Sequence, residues 1–345
     1  MKVIVDIPDE LVDPIREAVQ KGDYDSTREF VQFALENQTE IELNEKSAGQ
    51  SLPALEDVIE NRQSPHTAEK ESEYTESMGD FGILRGQYSE IPTVDSPDEN
   101  KISSGVLWGQ YNRLLPIKFV IRGLANRVYT AKEPIPLAEF ADSVADDART
   151  FGQELQRLDE ELGFSRGNKR SSAFPTGSDA DKSLRRFKNH FIGEVSGDGS
   201  LRGAPFELAL INVAEEDDRQ RIAPTVAGRE FAQLSNPILD SDRTAELPFS
   251  PEEREFYFNH LQEFRPNELE AMQYIATEIE SGTDRPNPLT EAVGELNSDW
   301  SDNQASTIRT GLISRMNELG LLERGRVGQR GVKYSLTTEG ETLLT

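Results

Sequence analysis

The strongest constraint on the fold lies between Asn303 and Leu344, where signals for helices, strands and their ends follow closely on one another. A helix, a glycine stop, two short strands and a final helix start are predicted in order at 304–319, Gly320, 321–324, 332–336 and 337–340. Glycines at 325, 328 and 331 suit the positive backbone angles that a tight hairpin needs. The sequence therefore predicts a helix that leads into a hairpin.

This order of elements resembles that of a winged-helix domain. The resemblance implies that the helix over 304–319 enters the major groove of DNA and that the hairpin lies along the DNA backbone or the minor groove. It assigns base and phosphate contacts to nine residues: Gln304, Ser306, Thr307, Arg309, Arg315, Arg324, Arg326, Arg330 and Lys333. A second explanation is that the arginines pair with acidic side chains of neighbouring helices.

The chain is strongly acidic and poor in apolar residues, which leaves two explanations. Its 345 residues carry a formal net charge of −26, and 35% of them are hydrophobic. Such a composition is typical of disordered chains. It is also typical of proteins that fold at high salt, where ions screen the repulsion between like charges. Because the acidic residues alternate with well-phased apolar positions, we favour adaptation to salt, and expect pairs such as Glu252 and Glu253 to be solvated.

Several kinds of site are excluded or disfavoured by the composition. The chain has no cysteine, so it cannot form a disulfide or a thiolate metal site, and its three histidines are far apart in sequence. We find no phosphate-binding glycine loop and no catalytic motif, and predict no enzyme activity, no metal and no cofactor. No apolar stretch reaches the ~20 residues of a membrane span, and no hydrophobic signal region is present. A cytoplasmic protein without membrane contact is therefore expected.

The first 43 residues predict a small dimerisation unit. Residues 2–7 alternate as a β-branched strand that Pro8 ends, and Asp9 and Ser26 each mark the start of a helix. One strand and two helices cannot bury an adequate core alone. We therefore infer a homodimer formed through residues 1–43.

These residues resemble a ribbon-helix-helix DNA-binding domain over positions 2–40, on the segments VIVDIPDEL (3–11) and YDSTREFV (24–31). The resemblance implies six DNA contacts, from the outward strand residues Lys2, Ile4 and Asp6 and from the helix start Ser26, Thr27 and Arg28. Asp6 stands where the family commonly has a basic residue, and segment 1–43 has four basic residues against eleven acidic ones. DNA binding by the ribbon and pure dimerisation both remain open.

The rest of the chain divides into a linker and two modules. Residues 44–104 lack periodicity and predict a flexible acidic linker. Beyond it, ELGF (161–164) matches ELGL (318–321), and PTVAGREF (224–231) matches LTTEGETL (336–343). We interpret these matches as tandem winged-helix-like modules at 105–245 and 246–345, the first with an enlarged wing in which 206–213 is one strand. The predicted fold class is mainly α with short β.

The charge of the chain reverses in two short segments. Segment 164–188 has seven basic residues against two acidic ones, and segment 324–333 has four basic residues and no acidic one. Both follow a long predicted helix, at the place where a wing would lie. For segment 164–188, a disordered loop is an equal alternative.

Together these patterns predict a sequence-specific transcription regulator that binds double-stranded DNA as a homodimer in a halophile. The domain order and the acidity also resemble the long ribbon-helix-helix proteins that halophilic archaea use in cell-division gene control. The alternative is a protein-interaction adaptor that dimerises through residues 1–43. Such an adaptor would contact DNA only through a partner, for example a shorter ribbon-helix-helix protein.

Overall fold

Prolines, caps and glycines set the ends of most helices. The computed structural model describes residues 90–345, apart from 165, 198, 215–219, 242 and 328–330. Pro251 begins one helix after a capping box between Ser250 and Glu253, and Ser301 and Gln304 form another. The described part is mainly helical with short antiparallel strands, which confirms the predicted class.

The α-helices of the described residues are α1 Leu115–Ala131, α2 Leu137–Glu161, α3 Ala180–Phe187, α4 Ala204–Glu207, α5 Val226–Gln233, α6 Pro251–Phe264, α7 Pro266–Glu280, α8 Pro286–Glu295, α9 Asp302–Glu318 and α10 Thr338–Leu344. The strands are β1 Ile135–Pro136, β2 Glu194–Val195, β3 Leu201–Arg202, β4 Ile211–Ala214, β5 Arg221–Pro224, β6 Leu322–Val327 and β7 Gly331–Leu336. Short 3-10 turns lie at Glu99–Lys101 and Arg166–Asn168, and a π-turn at Lys188–Ile192.

Two hairpins among the described residues have the same pattern of hydrogen bonds to the rest of the chain. In the first, β4 pairs with β5, and β5 also pairs with β1, which directly precedes α2. In the second, β6 pairs with β7, and the Tyr334 amide of β7 donates to the carbonyl of Asp284, just before α8. In both hairpins, therefore, the second strand also bonds to a segment that lies earlier in the chain and leads directly into a helix, α2 or α8.

A compact hydrogen-bonded junction closes the base of the second hairpin. The chain leaves α9 through Gly320, whose φ is 72°, and enters β6. The Thr337 amide donates to Leu321 O at 3.0 Å, and its hydroxyl donates to Gly320 O at 2.7 Å. The same hydroxyl oxygen accepts the Gly340 amide at 3.0 Å, which caps α10. One threonine thus ties the helix end, the hairpin and the next helix together.

The first hairpin has the same junction with different residues. Thr225 donates from its amide to Leu210 O at 3.0 Å and from its hydroxyl to Ala209 O at 2.7 Å. Its hydroxyl oxygen accepts the Gly228 amide at 3.1 Å. Ala209 has a φ of 51°, so it takes the left-handed conformation of Gly320 without being glycine. The predicted match of 224–231 with 336–343 is confirmed in the backbone hydrogen bonds.

The other predicted match, of Gly163 with Gly320, is wrong. Gly163 does end α2 with a φ of 66°, but the chain then passes through α3 before it reaches a hairpin. The residue equivalent to Gly320 is Ala209. The residues that separate Gly163 from the first hairpin therefore lie before that hairpin, not within it. The enlarged wing and the single strand over 206–213 are therefore also wrong, because helix α4 covers 204–207 and β4 begins only at 211.

Two glycines of the second hairpin have a different role from the predicted one. Gly325 and Gly331 lie within the paired strands and are not among the residues with positive φ. A Cβ on Gly331 would lie 2.6 Å from Val327 O. The small size of Gly331, rather than its backbone angle, is what the close pairing requires.

The packed part of the chain begins earlier than predicted. Ile91 is 2% exposed and belongs to the main core, and Val94 donates its amide to Pro224 O at 3.0 Å. Residues 90–104 are thus packed, and the predicted linker boundary at 104 is wrong. The remainder of that predicted linker, 44–89, lies outside the described residues.

Buried ion pairs join two ranges of the chain, 105–245 and 246–345, which we call the two halves. Lys118 Nζ lies 2.9 Å from Glu253, and both side chains are fully buried. Arg265 and Glu207 form a second pair at 2.9 Å, and both side chains are buried. The expectation that Glu253 is solvated is therefore wrong. Because a buried charge without its partner is costly, these pairs hold the halves in one packing arrangement.

Candidate nucleic-acid interface

The hairpin β6–β7 has basic side chains along its length, from its buried base to its exposed end. Its pairing puts Arg324 opposite Tyr334 and Arg326 opposite Val332, so these four side chains share one face. Tyr334 is buried and Arg324 is half-buried, whereas Arg326 and Val332 are exposed. The hairpin therefore extends beyond the packed helices and presents Arg326 to the solvent.

Lys333 lies on the opposite face of the same hairpin. Its side chain is 52% exposed, and its Nζ lies 2.8 Å from Asp284 Oδ2. An ion pair this exposed contributes about 0–1 kcal/mol. A phosphate group can therefore replace Asp284 as the partner of Lys333 at little cost.

The first turns of α9 present short polar side chains. Gln304 is exposed, and its Oε1 accepts the Ser301 amide at 2.9 Å. Ser306 and Thr307 are half-buried, and the Thr307 hydroxyl donates to Asn303 O at 2.8 Å. Their hydroxyl oxygens keep acceptor capacity for an outside donor.

Arg315 does not lie at the surface, so its predicted contact with DNA is wrong. Its side chain is completely buried, with Nε 2.7 Å from Glu268 Oε1. A second guanidinium nitrogen donates to Tyr111 O at 2.7 Å. Here the alternative from the sequence holds, since this arginine pairs with an acidic residue of a neighbouring helix.

Arg309 and Arg324 are less deeply buried than Arg315 but less exposed than Arg326. Arg309 is 9% exposed and donates to the hydroxyls of Tyr334 at 3.3 Å and Thr310 at 3.2 Å. Arg324 donates to the Ser314 hydroxyl at 3.0 Å. Burial, together with the neighbouring Arg113 and Arg309 guanidiniums, lowers the pKa of Arg324 to about 10, so this arginine is still charged at neutral pH.

The second half of α9 is covered by other parts of the chain. All residues from 311 to 316 are buried. Gly109 packs against the start of this half, because a Cβ on Gly311 would lie 2.8 Å from Gly109 O. Arg324 lies over Ser314. Only the first half of α9 is therefore accessible to a large partner.

The basic segment 164–188 is folded in its described part. The Arg170 guanidinium is buried, donates to the carbonyls of Arg243 and Ala245, and lies over the Phe164 ring. Asp159 accepts the amides of Arg170 and Ser171, both at 2.9 Å. The alternative of a disordered loop is thus wrong for these residues, and Arg170 has a structural role.

Seven predicted contact residues lie outside the described residues: Lys2, Ile4, Asp6, Ser26, Thr27, Arg28 and Arg330.

Two residues at this site were not predicted from the sequence. Thr310 is exposed, and its hydroxyl donates to Ser306 O at 2.8 Å. Its spacing of one turn from Ser306 could have identified it. Arg113 approaches Arg324 from far away in the chain, and no local pattern predicts such a contact.

Comparison of the chain with protein-family models, with curated proteins and with solved structures gives no match. Within the described ranges, no helix combines the length and the apolar character that crossing a membrane requires.

Proposed function

We propose that the chain is a sequence-specific DNA-binding transcription regulator of a halophile, in which each half of the described part is a winged-helix-like module. The observation that carries the proposal is the exposed basic end of hairpin β6–β7, with Arg326 on one face and Lys333 on the other. In a chain of net charge −26, an exposed hairpin without acidic residues between 324 and 333 is suited to phosphate contact.

The proposed contact surface is smaller than the sequence predicts. It consists of Arg326, Lys333 and the accessible side chains of Gln304, Ser306 and Thr307. Since the second half of α9 is buried, base contacts come from its first turns alone. The hairpin binds the phosphates of the DNA backbone. Dimerisation through residues 1–43 increases the overall affinity by avidity.

The proposal is tested by capturing genomic DNA fragments with the full-length protein at molar potassium chloride, followed by footprinting of the enriched fragments. We expect protected sites, including upstream of the protein's own gene. The doubly substituted protein with Arg326→Gln and Lys333→Gln should lose most of the protection. The matched control, with Arg157→Gln and Lys101→Gln at exposed positions, should keep it. Absence of any enriched or protected site with the wild-type protein would rule out the regulator.

Dimerisation has a separate test. Light scattering of the full-length chain should give the mass of a dimer, and removal of residues 1–43 should give a monomer. A dimer that persists after the removal would place the interface in the remainder of the chain.

A second candidate function is a protein-interaction adaptor. The observation that favours it is the burial of residues 311–316 on α9, the helix that would otherwise enter the major groove. An adaptor would show no protected DNA alone, and would show protection only after addition of a shorter, basic ribbon-helix-helix protein.

A further inference from the structure

Three arginines meet where the chain before α1 approaches α9 and β6. Arg113 donates to Gly167 O at 2.8 Å, and a Cβ on Gly167 would lie 2.3 Å from a guanidinium nitrogen of Arg324. Arg324 stands opposite Tyr334 in the hairpin, and Tyr334 in turn accepts from Arg309. We call Arg113, Arg309 and Arg324 the arginine cluster.

The arginine cluster contains more positive than negative charge. Glu318 lies 3.9 Å from Arg113. Among the described residues, Arg309 and Arg324 have no carboxylate within ion-pair distance, and donate instead to the hydroxyls of Tyr334, Thr310 and Ser314. Two guanidinium charges are therefore left without an acidic partner in the described part of the chain.

The buried donors of the arginine cluster are also incompletely satisfied. Arg309 is only 9% exposed, and its Nε has no hydrogen-bond partner among the described residues. The Nε of Arg324 is likewise buried without a partner. An unpaired charge and an unbonded donor in the same buried place are unfavourable unless a ligand compensates them.

This arrangement is unusual in a chain with 63 acidic residues. A single glutamate at Thr310 or Ser314 would pair one of the two unpartnered guanidinium charges, yet small hydroxyl residues occupy both positions. Guanidinium groups beside hydroxyl groups are suited to a tetrahedral oxyanion, because several N–H donors can bind its oxygens at once.

We propose that the arginine cluster is a binding site for a phosphate-class oxyanion, held by the guanidiniums of Arg309 and Arg324 with Thr310 and Ser314 beside them. The site goes beyond the proposed function, because that function uses the exposed residues Arg326 and Lys333. The oxyanion is either a phosphate of the nucleic-acid backbone or a free phosphate, including that of a phosphorylated small molecule.

The first test is thermal unfolding of the full-length protein at constant ionic strength, with potassium pyrophosphate or phosphate replacing part of the potassium chloride. We expect a saturable rise in melting temperature, roughly 3–6 °C at a hundredfold excess over the dissociation constant. The rise should be lost in Arg309→Gln and, separately, in Arg324→Gln. It should be retained in Arg157→Gln, which removes an exposed arginine.

General stabilisation by phosphate salts is common to all these proteins and does not saturate. Equal rises in the wild type and in both cluster variants would overturn the proposal. Since either variant suffices, failure of one of them to fold leaves the test decisive.

The second test distinguishes the two sources of the oxyanion. If a backbone phosphate occupies the site, pyrophosphate at constant ionic strength should weaken the binding of labelled duplex DNA to the wild type but not to Arg309→Gln. If a free phosphate occupies it, DNA binding should be unchanged while the rise in melting temperature persists. DNA binding through Arg326 and Lys333 can survive without any response to pyrophosphate, so failure of this proposal and failure of the proposed function are distinguishable.

Discussion

The Arg315 guanidinium lies 2.7 Å from the Glu268 carboxylate, and neither side chain is exposed to solvent. The pair fixes α9 to α7, and the second carboxylate oxygen of Glu268 accepts the Leu107 amide at 2.9 Å. The segment before α1 is thereby held against α9. The sequence predicts that α9 enters the DNA groove, but the second half of this helix belongs to the core.

Glu268→Gln should strongly destabilise the protein. The substitution leaves the Arg315 charge buried without a counter-charge, and such changes cost about 3–5 kcal/mol. The free energy of unfolding, from denaturant titration at constant salt, provides the measurement. Glu291→Gln is the control, because Glu291 is exposed. Further substitution of Arg315→Met in the Glu268→Gln protein should recover part of the loss. A Glu268→Gln protein as stable as the control would show that the pair is not needed.

Gly340→Ala should destabilise the protein, although alanine normally stabilises a helix relative to glycine. The new Cβ would lie 2.0 Å from Leu321 O, so the junction at the hairpin base must move. We expect a loss of about 2 kcal/mol or more. Gly228→Ala should act in the same way, because its Cβ would lie 1.8 Å from Leu210 O.

Gly325→Ala is the matched control for both substitutions, since its Cβ would meet nothing closer than Lys333 O at 3.8 Å. Equal melting temperatures for Gly340→Ala, Gly228→Ala and Gly325→Ala would contradict the shared junction.

Acidification should destabilise the protein through His190. Burial, and to a lesser extent the nearby Arg186, lowers the pKa of His190 from its usual value to about 4. Between about pH 6.5 and 4, the unfolded chain binds a proton at this residue and the folded chain does not. Stability is therefore lost as the pH falls, by up to about 1.4 kcal/mol per pH unit.

The measurement is the free energy of unfolding near neutral pH and near pH 5, for the wild type and for His190→Phe. Phenylalanine fills the site beside Tyr111 and Phe191 and cannot bind a proton. The variant should lose less stability than the wild type on acidification, and other groups contribute equally to both proteins. The same loss in both would contradict the role of His190.

Local signals predicted local structure well. The stop at Gly320 and the helix start at Thr337 each depend on neighbours within a few residues, and each lies where the sequence predicts it. The same chemistry also misled the alignment of the repeat. Gly163 ends a helix just as Gly320 does, and the sequence contains no signal that the hairpin follows only the second of them.

Long-range pairing could not be predicted. Glu253 and Arg315 look like surface charges in an acidic chain, but their partners Lys118 and Glu268 are brought to them only by the packing of helices distant in sequence. For the candidate interface, the type of residue was therefore predictable, whereas its exposure was not. Arg326 and Arg315 illustrate the two outcomes, one exposed and one buried.

The most direct test of the proposed interface is the salt dependence of DNA affinity, measured by fluorescence anisotropy on an enriched fragment between about 0.5 and 2 M potassium chloride. Each phosphate contact contributes roughly 0.9 to the slope of log affinity against log salt. The protein with Arg326→Gln and Lys333→Gln should bind more weakly, with a slope smaller by about 2 than that of the wild type. The control with Arg157→Gln and Lys101→Gln should match the wild type. An unchanged slope and affinity in the hairpin variant would contradict the proposal that the hairpin contacts DNA.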